Sequence, residues 1–322
     1  MHLFNRDQIE KVVQLNKEVI QVIEDAFTAL QTKSVQMPPI MRVDVPEHNG
    51  EVDIKSAYIS GYDSFAVKLS SGFFNNPQKG LPSANGLMIL LSSETGMPKA
   101  VLADNGLLTD IRTAAAGAVA ARHLSRKDSK TAGVIGAGAQ ARLQLEALMQ
   151  VRSIERVLVF GRRQEQADVY KEDMERKLGV DVIVCRSPET VVTESDIVMT
   201  TTPAKEPIIK AEWMHPGLHI TAMGSDAEHK QELEAKAVLS ADLFTCDVKS
   251  QSLRLGEMRM VHENDKAIQQ ALELGEITSG QKQGRSNSEQ ITICDLTGTG
   301  VQDTAIARFA FELLDSKGGV YR

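Results

Sequence analysis

The chain has 322 residues, of which 42% are hydrophobic and 25% charged, and it carries a formal net charge of −7. This is the make-up of a globular protein long enough for two domains with real cores; the acidic balance excludes the electrostatic footprint of a nucleic-acid or anionic-membrane binder. No apolar run is long enough to span a bilayer, Met1-His-Leu-Phe-Asn-Arg-Asp7 lacks the layout of a signal peptide, and Cys185, Cys246 and Cys294 show no metal spacing, so a cytoplasmic, metal-free protein with reduced core thiols is expected.

In chain order, the periodicity predicts an amphipathic helix over Lys17–Thr32 and strands over Ile40–Val45, Val52–Ile59, Phe65–Leu69 and Gly86–Ser92. Turns at 75–80 and 94–98 punctuate them. Within this α+β segment Arg42 lies in an extended run between prolines. Lys68 stands alone in an apolar strand, where a lysine must snorkel out or meet an anion. An alanine-rich helix over Thr109–Leu124 follows, with Arg112 near its start; a buried cation near a helix N-terminus is odd unless it meets an anion.

The next stretch is the most informative. A buried-type strand at 130–135 runs into Gly136-x-Gly138-x-x-Ala141 and then a helix over Gln140–Val151. Gly136 would permit the tight turn, Gly138 would clear space for a pyrophosphate, and Ala141 would let the helix pack closely, while the first helical amides face the anion. Strand-like runs follow at Arg156–Phe160, Asp181–Cys185, Asp196–Thr202, Leu218–Gly224 and Leu243–Asp247, separated by helical or loop segments at Gln164–Leu178, Pro188–Glu194 and Glu228–Leu239. The alternation implies an α/β fold with a Rossmann-type, doubly wound parallel sheet.

After the second of these strands comes Gly161-Arg162-Arg163, where an NAD site usually has an acid. Two guanidiniums can pair with a 2′-phosphate, so NADP(H) is preferred, with NAD(H) possible; ordinary surface charges are the other reading. Asp226 follows the strand Leu218–Gly224, at the end that faces the ligand crevice. It could move a proton at the nicotinamide end, or Ser225 or Asp226 could cap a helix beginning at Ala227.

Taken together these motifs resemble the ornithine cyclodeaminase/mu-crystallin family of NAD(P)-dependent enzymes. The resemblance rests on Val67-Lys68, Leu108-Thr-Asp-Ile-Arg112, Gly136-Ala-Gly-Ala-Gln-Ala141, Thr200-Thr-Thr-Pro203, Met223-Gly-Ser-Asp226 and Asp295-Leu-Thr-Gly-Thr-Gly-Val-Gln-Asp303. Pro38-Pro-Ile-Met-Arg42 and Ala222–Lys230 look most like an ectoine-utilisation branch of cyclodeaminase-like proteins. The resemblance implies a homodimer with a substrate-binding and dimerisation domain over 1–115 with 296–322, and a nucleotide domain over 116–295. It implies that Arg42, Lys68 and Arg112 hold a small substrate's carboxylate and that Asp226, with Lys68, serves the chemistry. By the same resemblance Gly136, Gly138, Ala139, Gln140, Thr200, Thr201, Thr202, Met223, Gly224, Thr297 and Gly298 face the cofactor, although Thr297-Gly-Thr-Gly300 also reads as a turn.

Family members move a hydride to or from a carbon that bears an amino or imino nitrogen beside a carboxylate. Ornithine enzymes have a glutamate where this chain has Asp53, and Lys55 nearby would repel a second ammonium. The expected activity is therefore reduction of a small cyclic imine or unsaturated carboxylate. Amino-acid cyclodeamination and NADP-regulated ligand binding without turnover are the alternatives.

Overall fold

The computed structural model describes residues 1–262 and 265–316. They form two compact units, Met1–Arg112 with the chain from Thr299 onward, and Thr113–Gly298.

The first unit opens with β1 (His2–Asn5), α1 (Arg6–Glu10) and α2 (Lys17–Thr32). Asn16 caps α2 by accepting from the Val19 amide, and Val19, Ile20, Ile23, Ala26 and Phe27 form its buried stripe. Strands β2 (Val35–Gln36), β3 (Met41–Val45), β4 (Gly50–Ile59), β5 (Ser64–Phe73), β6 (Ala84–Ser92) and β7 (Pro98–Ala103) complete a seven-stranded sheet in the order β1-β7-β6-β5-β4-β2, with β3 also on β4. Pairing is antiparallel except for β1 on β7. Sequence periodicity missed β1 and assigned Pro98 to a turn. Pro98 is instead the first residue of β7, a position where its missing amide is tolerated.

The two faces of this sheet differ. Ala57, Ala66, Lys68, Met88, Leu90 and Leu102 share one face and are buried. Val43, Ile54, Val67, Leu69, Ile89 and Val101 share the other and are only partly covered, with Val43 45% exposed.

Helix α3 (Leu107–Leu124) carries the chain into the second unit. There β8 (Thr131–Ile135), α4 (Ala139–Met149), β9 (Arg156–Phe160), α5 (Gln164–Leu178), β10 (Asp181–Val184), α6 (Pro188–Thr193), β11 (Ile197–Thr200), β12 (His219–Ala222), α7 (Ala235–Leu239), β13 (Leu243–Cys246), α8 (Lys249–Leu255), α9 (Lys266–Gln270), β14 (Leu272–Glu273), α10 (Leu274–Thr278) and β15 (Thr292–Asp295) alternate. The eight strands are all parallel, in the order β10-β9-β8-β11-β12-β15-β13-β14. The chain winds outward from β8 to β10 and then returns to β11 on the other side, so the switch point lies between the ends of β8 and β11. β15, inserted between β12 and β13, is not assigned from the sequence, where the stretch it leads into reads as a motif and a turn. Only Ala235–Leu239 of the segment 228–239 is helical.

The last helix, α11 (Gly300–Ser316), packs on the buried face of the first unit's sheet through Val301 and Ala305 against Ala57 and Ile59. Glycine is required at its start: a Cβ on Gly300 would lie 2.5 Å from the Ser56 carbonyl oxygen.

Candidate functional site

In the first unit the two cations singled out in the sequence meet one carboxylate. Lys68 on β5 is 1% exposed, Arg112 on α3 is 5% exposed, and Asp303, in the first turn of α11, is fully buried. Lys68 Nζ lies 3.0 Å from Asp303 Oδ2 and donates to Oδ1 at 3.1 Å, and Arg112 Nε lies 3.0 Å from Oδ1. Arg112 also donates to Gln302 Oε1, which accepts the Thr299 amide as well. The Thr304 hydroxyl fixes the register of the helix over the sheet, donating to the Ala57 carbonyl and accepting the Ala66 amide. The first turn of a helix favours a carboxylate, so Asp303 is well placed to be the common counter-ion.

Burial pulls the Lys68 pKa down to about 7, and Arg112 beside it adds to the fall against the pull of Asp303. Burial alone would raise Asp303, but Lys68 and Arg112 outweigh it and hold the carboxylate below its ordinary range. Lys55, directly opposite Lys68 in the β4–β5 register and 8% exposed, brings a third cation to the same face. Asp104 caps α3 by accepting the Leu108 amide at 2.7 Å; burial pushes its pKa up to about 6, with the backbone amides pulling the other way. Arg42 is not part of the Asp303 cluster. It sits on β3 opposite Asp53 and pairs with Asp44 at 2.9 Å, with Glu51, and with Asp53 at 3.7 Å.

In the second unit the glycine turn has a clear division of labour. Gly136 has φ +114°, and a Cβ there would meet the Thr201 hydroxyl at 2.6 Å and its carbonyl oxygen at 3.0 Å, so the fold itself requires glycine. Gly138, the N-cap of α4, has an ordinary extended backbone and nothing within 4 Å of where its Cβ would be. The fold does not need glycine there, whereas a ligand approaching the α4 amides would. Ala139 is exposed and Gln140 half-exposed beside that opening, and Ala141 is buried. The turn and the helix N-terminus thus fit a dinucleotide pyrophosphate.

Arg162 and Arg163 are exposed after β9, with Arg163 the N-cap of α5, and neither enters an ion pair among the described residues. Thr200 is buried, and Thr201 and Thr202 are half-buried at the end of β11. Met223 and Gly224 follow β12, the Met223 amide donating to the Thr200 carbonyl. Asp226 caps no helix, because 223–231 is irregular; its side chain is 47% exposed and paired with Lys230 at 2.7 Å. Thr297 is buried, its hydroxyl donating to Asp247, while Gly298, with φ +80°, donates its amide to the other oxygen of Asp247. Sequence reasoning quoted the stretch ending in Asp303 but gave that residue no role. The hint was an acid and an amide, Gln302-Asp303, in the first turn of a helix whose first half is otherwise largely apolar.

A family model, the ornithine cyclodeaminase/mu-crystallin family, matches residues 2–318. The chain belongs to this family. It is 51% identical over 313 residues to a putative dehydrogenase of Rhizobium meliloti, covering 97% of this chain and 95% of that one. The fold matches a Thermococcus litoralis Δ1-pyrroline-2-carboxylate reductase in complex with NADH and L-proline at TM-score 0.92 and 34% identity, over 99% and 98% of the two chains. It also matches an archaeal alanine dehydrogenase dimer with bound NAD at TM-score 0.90 and 33% identity, over 99% and 97%.

The buried cluster makes two linked predictions. Asp303→Asn leaves two buried cations without their counter-ion and should cost about 3–5 kcal/mol in denaturant unfolding. Because the Lys68 pKa falls from 10.5 unfolded to about 7 folded, the unfolded chain binds the extra proton between those values, and Lys68 favours folding more as pH rises through that window. The stability difference between the parent and Lys68→Met should therefore grow from pH 7 to pH 10; a flat difference would mean that Asp303 keeps the ammonium charged throughout.

Proposed function

We propose that this protein is an NAD(P)H-dependent reductase of a small cyclic imine or unsaturated amino-acid-derived carboxylate. The observation that carries the reading is the Lys68–Asp303–Arg112 cluster, two buried cations sharing one carboxylate, in a chain whose other unit holds a ligand-ready glycine turn. A second carboxylate, supplied by the substrate, would balance the remaining positive charge. Lys68 and Arg112 would hold that carboxylate, and Arg42 would join them by exchanging one of its acidic partners for it.

Bound at Gly136–Gln140, a nicotinamide dinucleotide supplies the hydride that the imine carbon accepts. Asp226, ion-paired with Lys230 at rest, would take a proton from solvent and pass it to the imine nitrogen, so that one hydride and one proton turn the C=N bond into an amine. Its 47% exposure lets solvent return the proton. The relatives support this class: the Thermococcus enzyme is named for a cyclic imino acid and was solved with NADH and L-proline. Lys55, buried opposite Lys68, disfavours a substrate with a second ammonium and so speaks against ornithine.

NADP(H) is the preferred cofactor in this reading. Two guanidiniums without an ion-pair partner among the described residues stand at the N-terminus of α5 and oppose the helix dipole, a cost that a 2′-phosphate would offset. The protein would work as a homodimer whose subunits meet on the partly covered apolar sheet face of Val43, Ile54, Val67, Leu69, Ile89 and Val101.

The first test is NADPH and NADH oxidation against pyrroline-2-carboxylate, piperideine-2-carboxylate, pyruvate with ammonia or methylamine, and dehydrated hydroxyectoine, with ornithine assayed for ammonia release. Turnover of an imine or unsaturated acid, abolished in Asp226→Asn with NADPH binding intact, is the expected result. Ammonia from ornithine without net cofactor change would establish a cyclodeaminase, and binding without turnover of any of these would favour a ligand-binding protein. The paired change Arg162→Ser and Arg163→Ser should raise KM for NADPH roughly 10- to 100-fold, the value of lost charge-assisted hydrogen bonds, and leave KM for NADH unchanged; equal effects on both would remove the 2′-phosphate role. By light scattering the parent should have twice the chain mass and Ile89→Lys the mass of one chain, whereas a parent of single-chain mass would end the dimer proposal.

A further inference from the structure

Glu232 has no part in the chemistry above, yet its side chain joins two of the segments beside the glycine turn. It is fully buried, and four donors converge on its carboxylate. Oε1 accepts the Thr202 amide and the Thr202 hydroxyl, each at 2.7 Å. Oε2 accepts the Gly224 amide at 2.7 Å and the Thr200 hydroxyl at 2.5 Å. One carboxylate therefore bridges the chain leaving β11 and the chain leaving β12. Thr201, held between the two clamped threonines, donates its amide to the Ile135 carbonyl at 3.0 Å and presses its carbonyl and hydroxyl on the space beside Gly136. Gly224, on the other side, is so close that a Cβ would lie 2.1 Å from the Thr202 carbonyl oxygen and 2.5 Å from the Glu232 carboxyl carbon.

The clamp is itself held in place. Glu257 accepts the backbone amides of Glu232 and Leu233 at 2.9 and 3.1 Å, and Asp295, at the end of β15, accepts the Glu257 amide at 2.9 Å. Each carboxylate in this series fixes the backbone of the next, which leaves the Glu232 head group little freedom.

We propose that Glu232 is a positioning residue for the dinucleotide: its carboxylate sets the spacing of the Thr200–Thr202 and Met223–Gly224 segments and, through Thr201, the shape of the glycine turn. This deepens the nucleotide reading and rests on it. Two of the four donors are backbone amides that cannot reverse, one on each oxygen, so an amide side chain at this position must set its own NH2 against one of them. The distortion passes to the segments around the pyrophosphate site and leaves the Lys68–Asp303–Arg112 cluster untouched.

The test is the Kd of NADPH and of NADH, read by nicotinamide fluorescence without substrate, for the parent, Glu232→Gln, Thr200→Val and Thr200→Ser, alongside thermal midpoints. The expected result is a rise in both Kd values of at least tenfold in Glu232→Gln, a smaller rise in Thr200→Val, and near-parent binding in Thr200→Ser, which keeps the donor. If Glu232→Gln lowers only the thermal midpoint and leaves both Kd values within twofold of the parent, Glu232 is a core-stabilising group and the proposal is overturned. Should Glu232→Gln fail to fold, the threonine pair decides alone: equal Kd values in Thr200→Val and Thr200→Ser overturn it. A parent that binds neither dinucleotide overturns the nucleotide reading and this proposal together, whereas a parent that binds but turns over no imine leaves the Glu232 test fully decisive.

Discussion

One buried carboxylate shared by two buried cations governs the first unit. Removing an ammonium, a guanidinium and a carboxylate from water costs several kcal/mol each, and that cost is tolerable only when the partners are close and further hydrogen bonds complete their shells. Asp303 can do this because α11 returns to the N-terminal sheet and lies against it at Gly300, where no side chain separates helix from strand. The Thr304 hydroxyl sets the register of α11 over β4 and β5, and the Asp104 cap anchors the start of α3. Small residues at Ala57 and Ala66, the glycine at 300 and the caps thus serve the placement of three charges. With Lys68 protonated, those charges leave a net positive site, suited to an anion.

The second unit solves a different problem with the same economy. Its strands end in backbone amides, and what matters is where those amides point. Gly136 takes a conformation that other residues rarely adopt, Gly138 leaves open space, and Glu232 ties the ends of β11 and β12 together. Electrostatics pervades both units, but in the first it prepares side-chain charge and in the second it prepares backbone geometry.

Much of this was legible in the sequence. The glycine pattern, the alternation of β8 to β13 with helices, and the odd placement of Lys68 and Arg112 all have local signatures, because a turn, a period and a charge in an apolar run are properties of neighbouring residues. Elements outside the strand–helix alternation were harder: β1 and β15 were missed, and β7 was obscured by its opening proline. The helix cap offered as the other reading of Ser225 or Asp226 does not form because the segment's backbone is committed elsewhere, with Lys230 accepting from Arg259 and Gln231 donating to Ala204.

Sequence alone determined the fold class and the family, since these depend on patterns that span a few positions. Tertiary structure decided the partnerships: that Asp303 is the counter-ion of residues 235 and 191 positions away, that Arg42 is engaged by Asp44, Glu51 and Asp53, and that Glu232 clamps two strand ends. The physical reason is that a charge or a hydrogen bond is satisfied across space. Which groups meet depends on sheet register and on the return of α11, and neither is written in any local stretch of the chain.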